Sequence, residues 1–239
     1  MELGLFVTPA RNLMRTVGVA SLATLEPGSA SPYASMVTVA TEVGGAPIFL
    51  ISRLAWHTRN LEADPRGSVL FVAPGGESAD PLALGRISVM GIAEKADTPL
   101  NRSRFLARHP EAAGYASFAD FSLWRLRVDK GHFVGGFGRI GTLPGDQLIE
   151  QGDAVAAWEA GIAAALDDIN AGEAALCARL AARHGEEGGE WRLAACDPDG
   201  CDLVGEGRSI RIDFAAPVES VYQIPEVLQR LSAKDATSA

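Results

Sequence analysis

The stretch Pro47 to Arg66, PIFLISRLAWHTRNLEADPR, decides how this chain is read. An uninterrupted apolar run, Ile48-Phe49-Leu50-Ile51, stops at Ser52. A polar segment follows, carrying Arg53, His57, Thr58, Arg59 and Asn60. A short apolar run between turn residues reads as a buried strand. The segment after it reads as a helix from Leu54 to Ala63 that stops before Pro65, because the residue preceding a proline is steered away from helical backbone. A strand that ends on a hydroxyl and feeds a helix start leaves backbone N–H groups at the positive end of the helix dipole. Such a corner suits an anion, a phosphate or a carboxylate.

Towards the N-terminus, Thr8-Pro9 reads as the start of a helix that runs to about Val17 and is closed by Gly18. Val19 to Leu25 alternates and predicts a strand. Tyr33 to Thr41 is rich in β-branched residues and predicts another, with Gly44-Gly45 at the tip of a hairpin to Pro47. Downstream, Ser68 to Ala73 and Arg86 to Glu94 predict strands, with a bulge at Gly91 and a flexible loop over 74–85 between them. Thr98-Pro99 opens a helix to about Arg108, and Pro110 opens a short one. Phe121 to Asp129 alternates, and a glycine-rich strand runs from His132 to Gly141. Tight turns join these strands and long βαβ crossovers are missing, so an antiparallel barrel is expected rather than a doubly wound sheet.

After Pro144 the texture changes. Residues 147–184 are alanine-rich and helical, with a break near Asp167 to Gly172. Trp191 to Cys196 and Ser209 to Phe214 predict strands around an acidic loop, Pro225 to Lys234 a last helix, and DATSA a frayed tail. The expected fold class is α+β, mainly β: an antiparallel barrel over 1–145 and a small acidic α+β domain over 146–239. Charge follows the same division. Residues 1–145 hold 14 basic and 12 acidic side chains, whereas 146–239 hold 7 and 18. The acidic half argues against nucleic acid as a partner. No apolar run reaches the length of a membrane span, and the first residues lack the pattern of a signal peptide, so a cytoplasmic protein is expected. Cys177, Cys196 and Cys201 form no disulfide framework, and two cysteines around Asp197-Pro198-Asp199-Gly200 make a poor zinc site; no metal is expected.

The segments PYASMVTVAT, SRLAWHTRNLEADPR with SVLF, and RISVMG resemble the split-barrel proteins of the pyridoxamine-phosphate-oxidase-like FMN-binding superfamily. With FADFSLWRLRVDKGHFVGGFGRIG and CDPDGCDLVGEGRSIRIDFAAPV, nearly the whole chain resembles a narrower branch, the haem-utilisation proteins, in which a small domain follows the split barrel. The resemblance implies a homodimer with cofactor pockets shared across the subunit interface. It implies phosphate contacts at Ser52, His57 and Thr58, places Ser35, Met36 and Val37 beside the isoalloxazine and ribityl of FMN, and makes Arg86 a polar flavin contact. The family's second-strand cations are replaced by Ser35 and Ala40, and the lysine at the helix start by His57, which removes fixed positive charge from the phosphate. In the haem-degrading branch the resemblance puts an iron-ligating histidine in the second domain, backed by an acid matching Asp120. Here Asn170-Ala171-Gly172-Glu173 stands at that motif, so Glu173 occupies the histidine's place, and a carboxylate is a poor substitute for imidazole.

The remaining candidates read structurally. His109 and His184 sit at helix C-termini, where the dipole favours them. His132 opens an apolar strand and reads as a packed surface residue; Arg139 reads as a solvated strand-end arginine. Trp124, Phe133 and Phe137 read as core or dimer interface. No nucleophile elbow or triad spacing is present. Three functions follow: an FMN-binding protein acting as a flavin-dependent oxidoreductase, whose cofactor supplies the chemistry; a haem-binding or haem-degrading protein for iron acquisition; and a non-catalytic dimeric module binding a small molecule or tetrapyrrole.

Overall fold

The computed structural model describes residues 4–75, 80–136 and 138–233. Phe137, Lys234, the tail and residues 76–79 of the 74–85 loop lie outside these. The chain forms two compact units, Met1–Glu150 and Gln151–Ala239.

The first unit is built on an antiparallel sheet of eight strands among the described residues. These are β1 (Val19–Leu25), β2 (Pro32–Thr38), β3 (Ala40–Thr41), β4 (Pro47–Ser52), β5 (Arg66–Val72), β6 (Arg86–Lys95), β7 (Phe121–Val134) and β8 (Ile140–Pro144). Their order is β2-β1-β5-β6-β7-β4-β3, with β8 paired to β7, and the sheet curls into a split barrel. Helices α1 (Gly4–Thr16), α2 (Trp56–Ala63), α3 (Pro99–Arg108) and the short α4 (Gly145–Leu148) surround it.

The apolar run of β4 does not alternate because both of its faces are covered. Phe49 and Ile51 enter the main core with Leu22, Val69, Phe71, Val89 and Leu126. Ile48 and Leu50 enter a second cluster with Phe105 of α3 and Leu123 of β7. The strand ends where the core ends, which fixes Ser52 at the rim.

Several boundaries differ from the sequence reading. The first helix begins by Gly4 and carries Pro9 within it, rather than opening at Thr8-Pro9. The long second strand breaks after Thr38, and Ala40 belongs to β3, which pairs with β4 instead of β1. The glycine-rich segment is not one strand. β7 runs on through His132 to Val134, and a turn at Gly136 and Gly138, both with positive φ, leads into β8. The predicted bulge is present: the β6–β7 register shifts between Met90 and Gly91. A Cβ on Gly91 would lie 1.9 Å from the Arg127 carbonyl oxygen, so the two backbones can approach only at glycine.

The second unit holds α5 (Asp153–Gly172), α6 (Ala174–Arg183), α7 (Ile224–Ala233) and a three-stranded antiparallel sheet, β9 (Arg192–Asp197), β10 (Gly200–Gly205) and β11 (Arg208–Asp213). The acidic loop of the sequence reading is itself a strand, β10. The carboxylates of the three strands are tolerated because Arg211, almost wholly buried, bridges Asp197 of β9 at 2.8 Å and approaches Asp202 of β10 and Asp213 of β11. All three cysteines are buried and none forms a disulfide among the described residues; Cys196 lies directly opposite Cys201 across the hairpin. Burial pushes the Cys196 thiol well up, which suppresses thiolate chemistry there.

Candidate functional site

The strand end and helix start form a corner between β2, β4 and α2. Thr58, only 2% exposed, donates its hydroxyl to the Ser52 carbonyl oxygen at 2.6 Å and staples the helix to the strand end. The Ser52 hydroxyl donates to Asp120 Oδ2 at 2.5 Å and accepts from the Leu54 N–H at 3.1 Å. The backbone joins the same two segments, with Arg53 N–H on the Asp120 carbonyl oxygen at 2.7 Å. Ala55 offers α2 no side-chain cap, so its first-turn N–H groups are left for solvent or a ligand.

On the other side of the corner, Ser35 Oγ lies 3.0 Å from His57 Nδ1. His57 Nε2 is buried and has no hydrogen-bond partner among the described residues. Burial lowers the imidazole below its ordinary value of 6.5, so the neutral ring is favoured. One residue before His57 and two before Ser35, Trp56 stands against Tyr33 with ring centroids 5.9 Å apart, and Trp56 remains 57% exposed. A concavity of about 320 Å³ adjoins it, lined by Glu26, Pro27, Trp56, Arg59 and Asn60.

Of the sequence candidates, the structure brings Ser35, Ser52, His57 and Thr58 together, with Asp120 added. It does not bring Met36 or Arg86 there. Alternation along β2 turns Val37 into the core and leaves Met36, 78% exposed, on the opposite face of the sheet from Ser35. Arg86 lies three strands from β2 and donates to the carbonyl oxygens of Leu82 and Leu84 at 3.1 and 3.3 Å. The Ser52–Asp120 and Tyr33–Trp56 pairs escaped the sequence reading, since their members lie 68 and 23 positions apart and no periodicity links them.

An FMN phosphate fits this corner poorly. Two of its three expected side-chain contacts, Ser52 and Thr58, spend their hydroxyl protons inside the fold. Asp120 sets a carboxylate 2.5 Å from the Ser52 hydroxyl, one of the expected phosphate contacts. The second-unit haem motif is likewise occupied. Asn170 exchanges two hydrogen bonds with the backbone of Leu193, at 2.9 and 2.8 Å. Glu173 stands at the break between α5 and α6, and its side chain accepts from Gln229 at 3.3 Å rather than capping α6. Neither offers an imidazole to iron.

Residues 6–150 match the family described as CREG, beta-barrel. The chain belongs to that family. It stands in the haem-utilisation branch of the pyridoxamine-phosphate-oxidase-like split barrels. A non-canonical haem oxygenase of Arabidopsis thaliana, a chloroplastic protein, is 36% identical over 106 residues, which is 44% of this chain and 32% of that protein. The chain thus spans about a third of that relative's length. Among solved structures, a protein of unknown function from Agrobacterium tumefaciens is 31% identical, covers 96% of this chain and 95% of its own, and superposes with a TM-score of 0.79. A haem-binding protein from Mycobacterium smegmatis is 32% identical over 95% of both chains, with a TM-score of 0.57. No helix of the described residues is long and apolar enough to cross a membrane.

Proposed function

We propose that this protein binds a haem-type tetrapyrrole in haem utilisation, as a cytoplasmic homodimer. The observation that carries the reading is the end-to-end likeness, at 32% identity over 95% of both chains, to a protein named as haem-binding. The corner geometry supports it from the other side, because a flavin phosphate held by the Ser52 hydroxyl would lie beside the Asp120 carboxylate. The outer face of the β1–β2 edge supports a second copy of the chain: Val19 and Met36 stand 52% and 78% exposed beside Ser21, Ala23 and Ala34, with no charged side chain among them. Titrating the purified protein with haemin tests the ligand, and a saturable shift of the Soret band is the expected result. Haemin that keeps its free-solution spectrum would end the reading. Light scattering after size-exclusion chromatography should give twice the chain mass.

A second reading keeps FMN or another small phosphorylated ligand in the corner, and a flavin-dependent oxidoreductase with it. One observation favours it: His57 Nε2 is buried without a partner beside the uncapped start of α2. Protonated on both nitrogens, His57 would supply the positive charge that β2 lacks. Quenching of FMN fluorescence on adding protein tests this arm.

A further inference from the structure

We propose that His132 would hold the iron of a haem bound on the outer face of β6, β7 and β8. The proposal rests on the haem reading above and supplies the imidazole that Glu173 does not. The strand registers set one continuous row across the outside of the sheet: Met36, Ser21, Leu70, Ser88, His132 and Thr142. Inward-facing neighbours on the same strands, Ile87, Val89, Phe133 and Leu143, are core residues, so this row faces away from the core. His132 is exposed within it. Ser88 and Thr142, directly opposite on either side, are short, so the imidazole stands clear of its flanks.

The ring is also oriented. His132 Nδ1 lies 3.1 Å from Thr142 Oγ1. Metal-bound histidines are held in this way, with one ring nitrogen on a neighbour and the other free for the metal. The other three histidines are placed differently. His57 uses Nδ1 on Ser35, and its Nε2 is buried. His109 is buried with Nε2 on the Val39 carbonyl oxygen, and His184 caps α6 through the Leu180 carbonyl oxygen.

The surroundings match a planar, amphiphilic ring. A porphyrin is wider than one strand spacing of about 4.8 Å and must rest on neighbouring strands. Around His132 those strands offer Met90, Val134 and Ile140, and no carboxylate in the three cross-strand rows centred on it. Two cations flank it. Arg86 is diagonal on β6, and Lys130 is two residues along β7, with no partner among the described residues. Lys130 is placed to meet a carboxylate side chain of a haem, whereas Arg86 already spends one guanidinium nitrogen on the Leu82 and Leu84 carbonyl oxygens.

The test uses the full chain and haemin, read by the Soret band and by electron paramagnetic resonance of the ferrous nitric-oxide adduct, which shows extra splitting when a nitrogen ligand lies trans to nitric oxide. Wild type should show the splitting. His132→Gln should lose it and bind haemin at least tenfold more weakly, while His184→Ala should behave as wild type. Thr142→Val should weaken binding roughly 10–100-fold while leaving the fold intact. His132→Gly with added imidazole should regain the wild-type spectrum, which a merely structural histidine would not do. Nitrogen splitting retained in His132→Gln would overturn the assignment and leave the haem reading standing. A wild type that binds no haemin would overturn both.

Discussion

Ser35 on the edge strand β2 and His57 on α2 meet with Oγ and Nδ1 3.0 Å apart, and this contact fixes which nitrogen of the imidazole is left over. When the serine hydroxyl donates, the proton sits on Nε2, the atom that lies buried without a partner. Burial holds the ring below 6.5. Between the lowered value and 6.5 the unfolded chain binds more protons than the folded one, so this histidine's share of stability is complete above 6.5 and is lost as pH falls. Melting temperature measured from about pH 8 down to about pH 5 should therefore fall in wild type, and His57→Gln should flatten the fall. Equal slopes in both proteins would show that the imidazole is not strained by burial.

Asp120 is the charge that decides what the corner accepts. Its carboxylate takes the Ser52 hydroxyl at 2.5 Å. Asp120→Asn keeps a hydrogen-bond acceptor and removes the charge. Inorganic phosphate or FMN should bind the variant more tightly by roughly 1 kcal/mol, the scale of a half-solvated charge pair. Isothermal titration checks it. Unchanged or weaker phosphate binding would place any anion site away from this corner.

Thr58 carries a structural load in the same place. Thr58→Val keeps the shape and removes the hydroxyl that bonds the Ser52 carbonyl oxygen. In a buried position this should destabilise the first unit by about 1–3 kcal/mol, read from urea unfolding. A change below a few tenths would mean that the strand end holds without the staple.

Gly91 sits at the bulge between β6 and β7. Gly91→Ala puts a methyl group 1.9 Å from the Arg127 carbonyl oxygen, closer than any atoms pack. The strands must separate at the bulge, which should cost about 1–3 kcal/mol or more. A melting temperature equal to wild type would contradict the bulge geometry.

In the second unit, Arg211 is the counter-charge for three aspartates. Arg211→Met leaves Asp197, itself fully buried, without its cationic partner. Breaking such a pair costs roughly 3–5 kcal/mol, enough to unfold a unit of this size. Limited proteolysis should then cut within residues 151–239 and spare the barrel. Resistance equal to wild type would show that the aspartates are satisfied without it.

Much of the barrel was legible in the sequence. β1 and β4 have the bounds that alternation and the apolar run predict, Thr98 caps α3 through its hydroxyl, and Gly91 marks the bulge. These are local signals: a side chain and the backbone it caps, or a residue and the face it shares. β10 was misread because GCDLVG, with a glycine at each end and an aspartate inside, has no strand signature of its own. It is held between β9 and β11, and Arg211 on β11 approaches its one carboxylate, Asp202, at 3.6 Å. The corner was found as a position, but its chemistry was not. Ser52 and Thr58 looked free to bind an anion and are instead bonded within the fold.

The sequence by itself determined the split barrel, the acidic second unit and the haem-utilisation kinship, because periodicity, turn residues and motif order are properties of neighbours along the chain. Only the tertiary structure decided what each polar side chain is left with. Asp120 reaches Ser52 from 68 positions away, Met36 turns away from Ser35, and His132 comes to stand exposed in a row drawn from six strands. Those outcomes depend on register and on the curl of the sheet. A shift of one residue in register would send each of these side chains to the opposite face.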